Sequence, residues 1–130
     1  MAEELILIVE DNEKSRRLLR DLLQVNGYQT LESETAEEGI QIAQRSQPAL
    51  VLMDIQLPGI NGMEARMQLK ADPKTRLIPV VAVTASAMLH DRSDIEAAGF
   101  DAFQSKPIDI NEILKLVRDL IDQHGKVVDS

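Results

Sequence analysis

The chain has 130 residues, 44% of them apolar and 28% charged, with a formal net charge of −8. That size and mix suit one folded domain with a single core. The charge disfavours a nucleic-acid surface, which is built from clustered Lys and Arg. Cysteine is absent, which excludes disulfides, thiolate nucleophiles and cysteine zinc sites together. His90 and His124 are far apart and unaccompanied, so a histidine metal site is not expected. No apolar run approaches the roughly 20 residues needed to span a bilayer, so no membrane association is expected. The start Met1-Ala2-Glu3-Glu4 lacks the basic and apolar regions of a signal peptide, which makes the cytoplasm the expected location.

Strand-like and helix-like segments alternate. Leu5 to Val9 reads as a strand, followed by a helix from about Lys14 to Asn26 with Leu18, Leu19, Leu22 and Leu23 at helical spacing and Gly27 as its stop. Tyr28 to Leu31 reads as a short second strand. Thr35-Ala36-Glu37-Glu38 fits a capping box, opening a helix that ends before Pro48. Leu50 to Met53 has no polar alternation, as expected of a strand covered by helices on both faces. Pro58, Gly59, Asn61 and Gly62 form a loop, and Met63 to about Ala71 a helix. Asp72 to Leu77 connects to a strand from Ile78 to Val83. A helix from about Ser86 to Ala98, stopped by Gly99, leads to a strand around Phe100 to Gln104. The last helix opens on Asp109-x-x-Glu112 and is expected to stop at Gly125. Residues 1–125 are therefore read as one domain and residues 126–130 as a short tail.

Five strands alternating with five helices predict an α/β fold, a three-layer sandwich around a parallel sheet. Pattern alone does not fix the strand order. The doubly wound order 2-1-3-4-5 is one of two common solutions, and its switch point lies between the first and third strands. Asp11 and Asp54 follow those two strands, and this order places them across the ligand crevice.

The polar residues that end the apolar runs carry the chemistry. Glu10 and Asp11 end the first, Asp54 the third, Thr84 the fourth, and Lys106-Pro107 the fifth. In open parallel sheets ligands bind beyond the carboxyl ends of the strands. Three crowded carboxylates repel one another unless a cation intervenes, and magnesium favours one or two carboxylates together with waters and phosphate oxygens. A carboxylate such as Asp54 is also a competent nucleophile towards phosphorus. Lys106, extended by the proline after it, can hold a phosphoryl oxygen. Each residue also has a plainer reading. Glu10-Asp11-Asn12 can be a turn that caps the first helix, Asp54 a loop cap, Thr84 a strand former and Lys106 a solvated lysine. Jointly, their placement at strand ends is specific.

With these motifs the chain resembles the receiver domain of two-component response regulators. The resemblance covers Leu5 to about Gln123. It rests on Val9-Glu10-Asp11-Asn12, Leu52-Met53-Asp54-Ile55-Gln56-Leu57-Pro58, Gly59-Ile60-Asn61-Gly62-Met63-Glu64, Val83-Thr84-Ala85 and Ser105-Lys106-Pro107. It implies the flavodoxin-like order 2-1-3-4-5 and a single-domain, phospho-accepting regulator rather than an enzyme. Asp54 is then the phospho-acceptor, supplied by a sensor histidine kinase or a histidine phosphotransfer protein. Glu10, Asp11, Asp54 and the backbone carbonyl of Gln56 are implied as Mg2+ ligands. Thr84 and Lys106 are implied to contact the phosphoryl group, with Lys106-Pro107 cis.

Phe103 takes the place of the switch aromatic that moves with Thr84. Receivers often carry Tyr or His there, so Phe103 keeps the steric part and loses the polar tip. Output to a downstream protein target is expected through the last two helices and last strand, with Met88, Leu89 and Phe103 as apolar contacts. Gln56 and Ser86 flank the site and are candidates for setting phosphoryl lifetime. The domain is expected to act as a monomer or weak homodimer.

Three other classes fit less well. Magnesium-dependent aspartyl phosphatases place a second Asp two residues after the nucleophile, where this chain has Gln56. A flavin-binding relative needs a first loop rich in Ser, Thr and Gly, whereas Glu10-Asp11-Asn12-Glu13 repels phosphate. A receiver-like domain that signals without phosphorylation does not explain why all the expected site residues are present.

Overall fold

The five strands make one parallel sheet in the order β2-β1-β3-β4-β5. The structure is a computed structural model and describes residues 4–54, 62–84, 100–105 and 109–129. Along the chain the elements are β1 (Leu5–Val9), α1 (Glu13–Val25), β2 (Gln29–Ser33), α2 (Ala36–Ser46), β3 (Leu50–Asp54), α3 (Gly62–Ala71), β4 (Val80–Thr84), β5 (Ala102–Ser105) and α4 (Ile110–Asp129). The order 2-1-3-4-5 is the one that sets the ends of β1 and β3 side by side. The helix expected over about 86–98 lies outside the described residues.

Uninterrupted apolar strands make sense once both faces are covered. Leu7, Val9, Val51, Met53, Val80 and Ala82 pack with Ala36, Ile40 and Ala43 of α2 and Ala65 and Leu69 of α3. The alternate residues Ile6, Ile8, Leu50, Leu52, Val81 and Val83 pack with Leu19 and Leu23 of α1 and with Ile113 and Val117 of α4. Successive side chains of a strand point to opposite faces, so one run of apolar residues feeds two cores.

Local signals set the helix ends. Asn12 caps α1, its Oδ1 accepting the Ser15 N–H at 3.0 Å. At the other end Gly27 has φ 93°. Its N–H donates to Gln24 C=O and that of Tyr28 to Leu23 C=O, the paired bonds of a Schellman stop that only a left-handed residue permits. Thr35 Oγ1 accepts the Glu38 N–H at 3.2 Å, one half of the expected capping box; the Thr35 N–H donates to Ser33 Oγ. Asp109 Oδ1 likewise accepts the Glu112 N–H at 3.1 Å.

Several expected boundaries move. β2 runs over Gln29–Ser33 rather than Tyr28 to Leu31, because Tyr28 is consumed by the Schellman turn. β4 begins at Val80 and β5 at Ala102. Asp101, expected inside the fifth strand, instead accepts the Val80 N–H through Oδ2 at 2.7 Å and so fixes the entry to β4. α4 continues past Gly125 to Asp129. A single glycine costs a helix only about 1 kcal/mol and does not have to end it.

The α3–β4 connection is held by polar groups that carry no sequence pattern. Thr75 is fully buried and its Oγ1 donates to Leu69 C=O at 2.6 Å. Lys70 Nζ donates to the carbonyls of Arg76 and Ile78 at 3.1 and 2.8 Å, and lies 3.7 Å from Asp101 Oδ2. Burial lowers the pKa of Lys70 below its ordinary 10.5; Asp101 pulls it back up and Arg66 lowers it further.

Candidate functional site

The site forms where β1 and β3 end together. Val9 pairs with Met53, so the next residue on each strand, Glu10 and Asp54, occupies neighbouring positions. On the far side Asp54 pairs with Val83, which places the backbone of Thr84 one step beyond, and Thr84 in turn pairs with Ser105. The strand register alone therefore lines up the backbones of Glu10, Asp54, Thr84 and Ser105 along one edge.

Carboxylate oxygens of Glu10, Asp11 and Asp54 all lie within 4.8 Å of one another. Glu10 is 1% and Asp54 5% exposed, while Asp11 is open to solvent. Three carboxylates this close, two of them buried, repel one another. At the 4.8 Å limit of that spacing two like charges repel by about 3.5 kcal/mol at an effective dielectric constant of about 20. Hard anionic oxygens, two inside and one at the water boundary, fit a cation that keeps part of its own hydration shell. Magnesium is such a cation.

Both the backbone and the side chain of Glu10 are held. Its N–H donates to Ser33 C=O at 2.9 Å, its Oε2 accepts the Asn12 N–H at 3.1 Å, and its carbonyl accepts from Arg16 Nη1 at 3.0 Å. Asn12 thus both caps α1 and steadies the Glu10 carboxylate; the capping reading and the site reading of this triplet are compatible.

Among the expected site residues, the structure brings together Glu10, Asp11 and Asp54 and aligns the backbone of Thr84. Gln56, Ser86, Met88, Leu89 and the Lys106-Pro107 bond lie outside the described residues. Phe103 is partly buried against the core layer shared with α2 and α3. It also lines a groove of about 270 Å³ with Gln104, Glu112, Lys115, Leu116 and Asp119. Arg16 and Ser33, which hold the backbone of Glu10, are not singled out by the sequence. Their partners are a main-chain carbonyl and a main-chain N–H, which leave no trace in residue spacing.

A family model for the response regulator receiver domain matches residues 6–118, and the chain belongs to that family. Over 113 residues it is 42% identical to the polar-differentiation response regulator DivK of Brucella ovis, covering 87% of this chain and 92% of that protein. Among solved structures it is similar to the receiver domain of a sensor histidine kinase from Pseudomonas aeruginosa PAO1. The two are 28% identical with a TM-score of 0.86, covering 93% and 99% of the respective chains, and that structure holds a magnesium ion coordinated in its active-site cleft. A CheY-like receiver domain protein from Methanospirillum hungatei JF-1 is 27% identical with a TM-score of 0.87, covering 95% and 98%. Membership places the chain in two-component signalling, where receivers work with histidine kinases and downstream targets. Among the described residues no helix is long and apolar enough to cross a membrane.

Proposed function

We propose that this receiver accepts a phosphoryl group on Asp54 from a phosphohistidine of a sensor kinase or phosphotransfer protein. A carboxylate oxygen of Asp54 attacks phosphorus in line. The phosphorus–nitrogen bond of the donor breaks, the imidazole leaves and is protonated, and an acyl phosphate forms. The observation that carries the proposal is the convergence of Glu10, Asp11 and the buried Asp54 at the ends of two adjacent central strands.

Glu10, Asp11 and Asp54, with the backbone carbonyl of Gln56, are the groups that would hold magnesium. When bound, that ion supplies the positive charge that lets an anionic donor approach an acidic pocket. Lys106 would neutralise one phosphoryl oxygen, and the Thr84 hydroxyl would donate to another. Phe103, two strand positions from the Ser105 that pairs with Thr84, turns with it and passes the change to β5 and α4. The phosphorylated surface then binds a downstream protein. We assign the receiver unit to residues 1–125 and its working place to the cytoplasm, as a monomer or weak homodimer.

The test is incubation with magnesium and a small phosphodonor, or with beryllofluoride, followed by intact mass and amide NMR. A magnesium-dependent adduct lost in Asp54→Asn is the expected result. No magnesium-dependent response, or an adduct that survives Asp54→Asn, overturns the proposal.

A further inference from the structure

Arg16 lies in the first turn of α1, close behind the end of β1. Its side chain is only 15% exposed. Nη1 donates to the backbone carbonyl of Glu10 at 3.0 Å, and Nε donates to Glu32 Oε1 at 3.2 Å. Glu34 Oε1 lies 3.8 Å from the same Nη1, and Glu32 Oε2 lies 3.6 Å from Arg20 Nη1. The guanidinium thus joins the residue that starts the acidic loop to the acidic end of β2. Glu10 is held to β2 a second time through the Ser33 carbonyl.

We propose that Arg16 is a positioning residue for the acidic pocket. Its planar fork ties the Glu10 carbonyl to Glu32 and so fixes residues 10–12, from which Glu10 and Asp11 reach a cation. The inference rests on reading Glu10, Asp11 and Asp54 as a magnesium site. Charge alone predicts something different. A cation near a metal site weakens metal binding, so removing it should strengthen binding. Here Glu32 and Glu34 already offset the charge of Arg16, and what remains is the geometry of its contacts. A lysine keeps the charge but has no rigid fork to span the two acceptors.

The full-length wild type, Arg16→Lys and Arg16→Ala are titrated with magnesium by NMR, following the Asp11 and Asn12 amides. Metal-free thermal unfolding is recorded for each, together with phosphorylation by a small phosphodonor at rising magnesium. Groups that orient metal ligands from behind are typically worth about tenfold or more in metal affinity. Both variants should therefore bind magnesium about tenfold more weakly and regain most of the wild-type phosphorylation rate when magnesium is saturating. Wild-type affinity in Arg16→Lys, or tighter binding in Arg16→Ala, overturns the positioning role. Lower thermal stability with unchanged magnesium affinity overturns it too, leaving Arg16 a purely structural residue. If Arg16→Ala does not fold, Arg16→Lys decides alone. A wild type that binds no magnesium overturns the metal site itself and the role of Arg16 with it. A wild type that binds, with variants that match it, overturns only the role of Arg16.

Discussion

Replacing Gly39 by alanine sets two ordinary effects against each other. Gly39 lies on the buried face of α2, opposite Val9. A Cβ built there stands 2.8 Å from Val9 Cγ2, 3.4 Å from Cγ1 and 3.6 Å from Ser33 Oγ. Val9 cannot move aside easily. It is 1% exposed, β-branched, and paired with Ser33 on one side and Met53 on the other. In an open helix Gly→Ala gains about 1 kcal/mol. Overpacking costs about 1–3 kcal/mol, and a contact this short against a stiff side chain belongs in the upper half of that range. The expected net is a loss of roughly 1–2 kcal/mol, or a fall in Tm of about 3–10 °C for a domain of this size. Thermal unfolding followed by circular dichroism measures it. The double variant Gly39→Ala/Val9→Ala should be more stable than the sum of the single effects by at least about 0.5 kcal/mol. An unchanged or raised Tm in Gly39→Ala, or strict additivity, refutes the steric argument.

Further outcomes follow from the caps, the buried lysine and the acidic pocket. Thr35→Ala removes the acceptor for the Glu38 N–H and should cost about 1 kcal/mol in urea unfolding; no change would mean that the Ser33 contacts alone hold the start of α2. Lys70 has its folded-state pKa below the unfolded 10.5, so between those values the unfolded chain binds more protons. Its stability penalty therefore stands in full below the folded-state pKa and fades as pH rises from there towards 10.5. Wild-type stability should gain on that of Lys70→Met across alkaline pH, and parallel curves would refute this. Asp11→Asn should raise the Tm of the metal-free protein by relieving repulsion. It should also weaken magnesium binding by more than the roughly tenfold expected for an outer partner. Parallel changes in both quantities would contradict the metal role. Chelation by EDTA should block adduct formation on Asp54 and leave the fold intact, as judged by mass and circular dichroism.

The parts of the fold that depend on apolar burial are readable from residue order. Leu50 to Met53 announces a strand covered on both faces, and each of its residues is buried. Asn12, Gly27, Thr35 and Asp109 declare helix ends because caps are local chemistry. Edge strand β2 is harder, since its polar residues Glu32 and Ser33 belong to the strand through contacts with Arg16, Arg20 and the Glu10 N–H. The acids of the site stand out because each ends an apolar run, and the register of β1 on β3 explains why they meet. What holds them does not stand out. Arg16 reaches a main-chain carbonyl, Thr75 another, and Lys70 two more. Side chains that satisfy backbone groups six to eight residues away, across a turn, follow no helix or strand period and leave no motif.

Position within the sheet has a mechanical consequence. β1, β3 and β4 each have hydrogen-bonded neighbours on both sides, whereas β5 has one neighbour, β4. The acids therefore end or directly follow strands held on both sides, while Phe103 and the groove beside α4 sit at an edge of the sheet. A disturbance at the margin loosens one seam and leaves the other three intact. Changes of residue on β5 or on the outer face of α4 should therefore leave the pairing of β1 with β3, and with it the placement of Glu10 beside Asp54, unchanged.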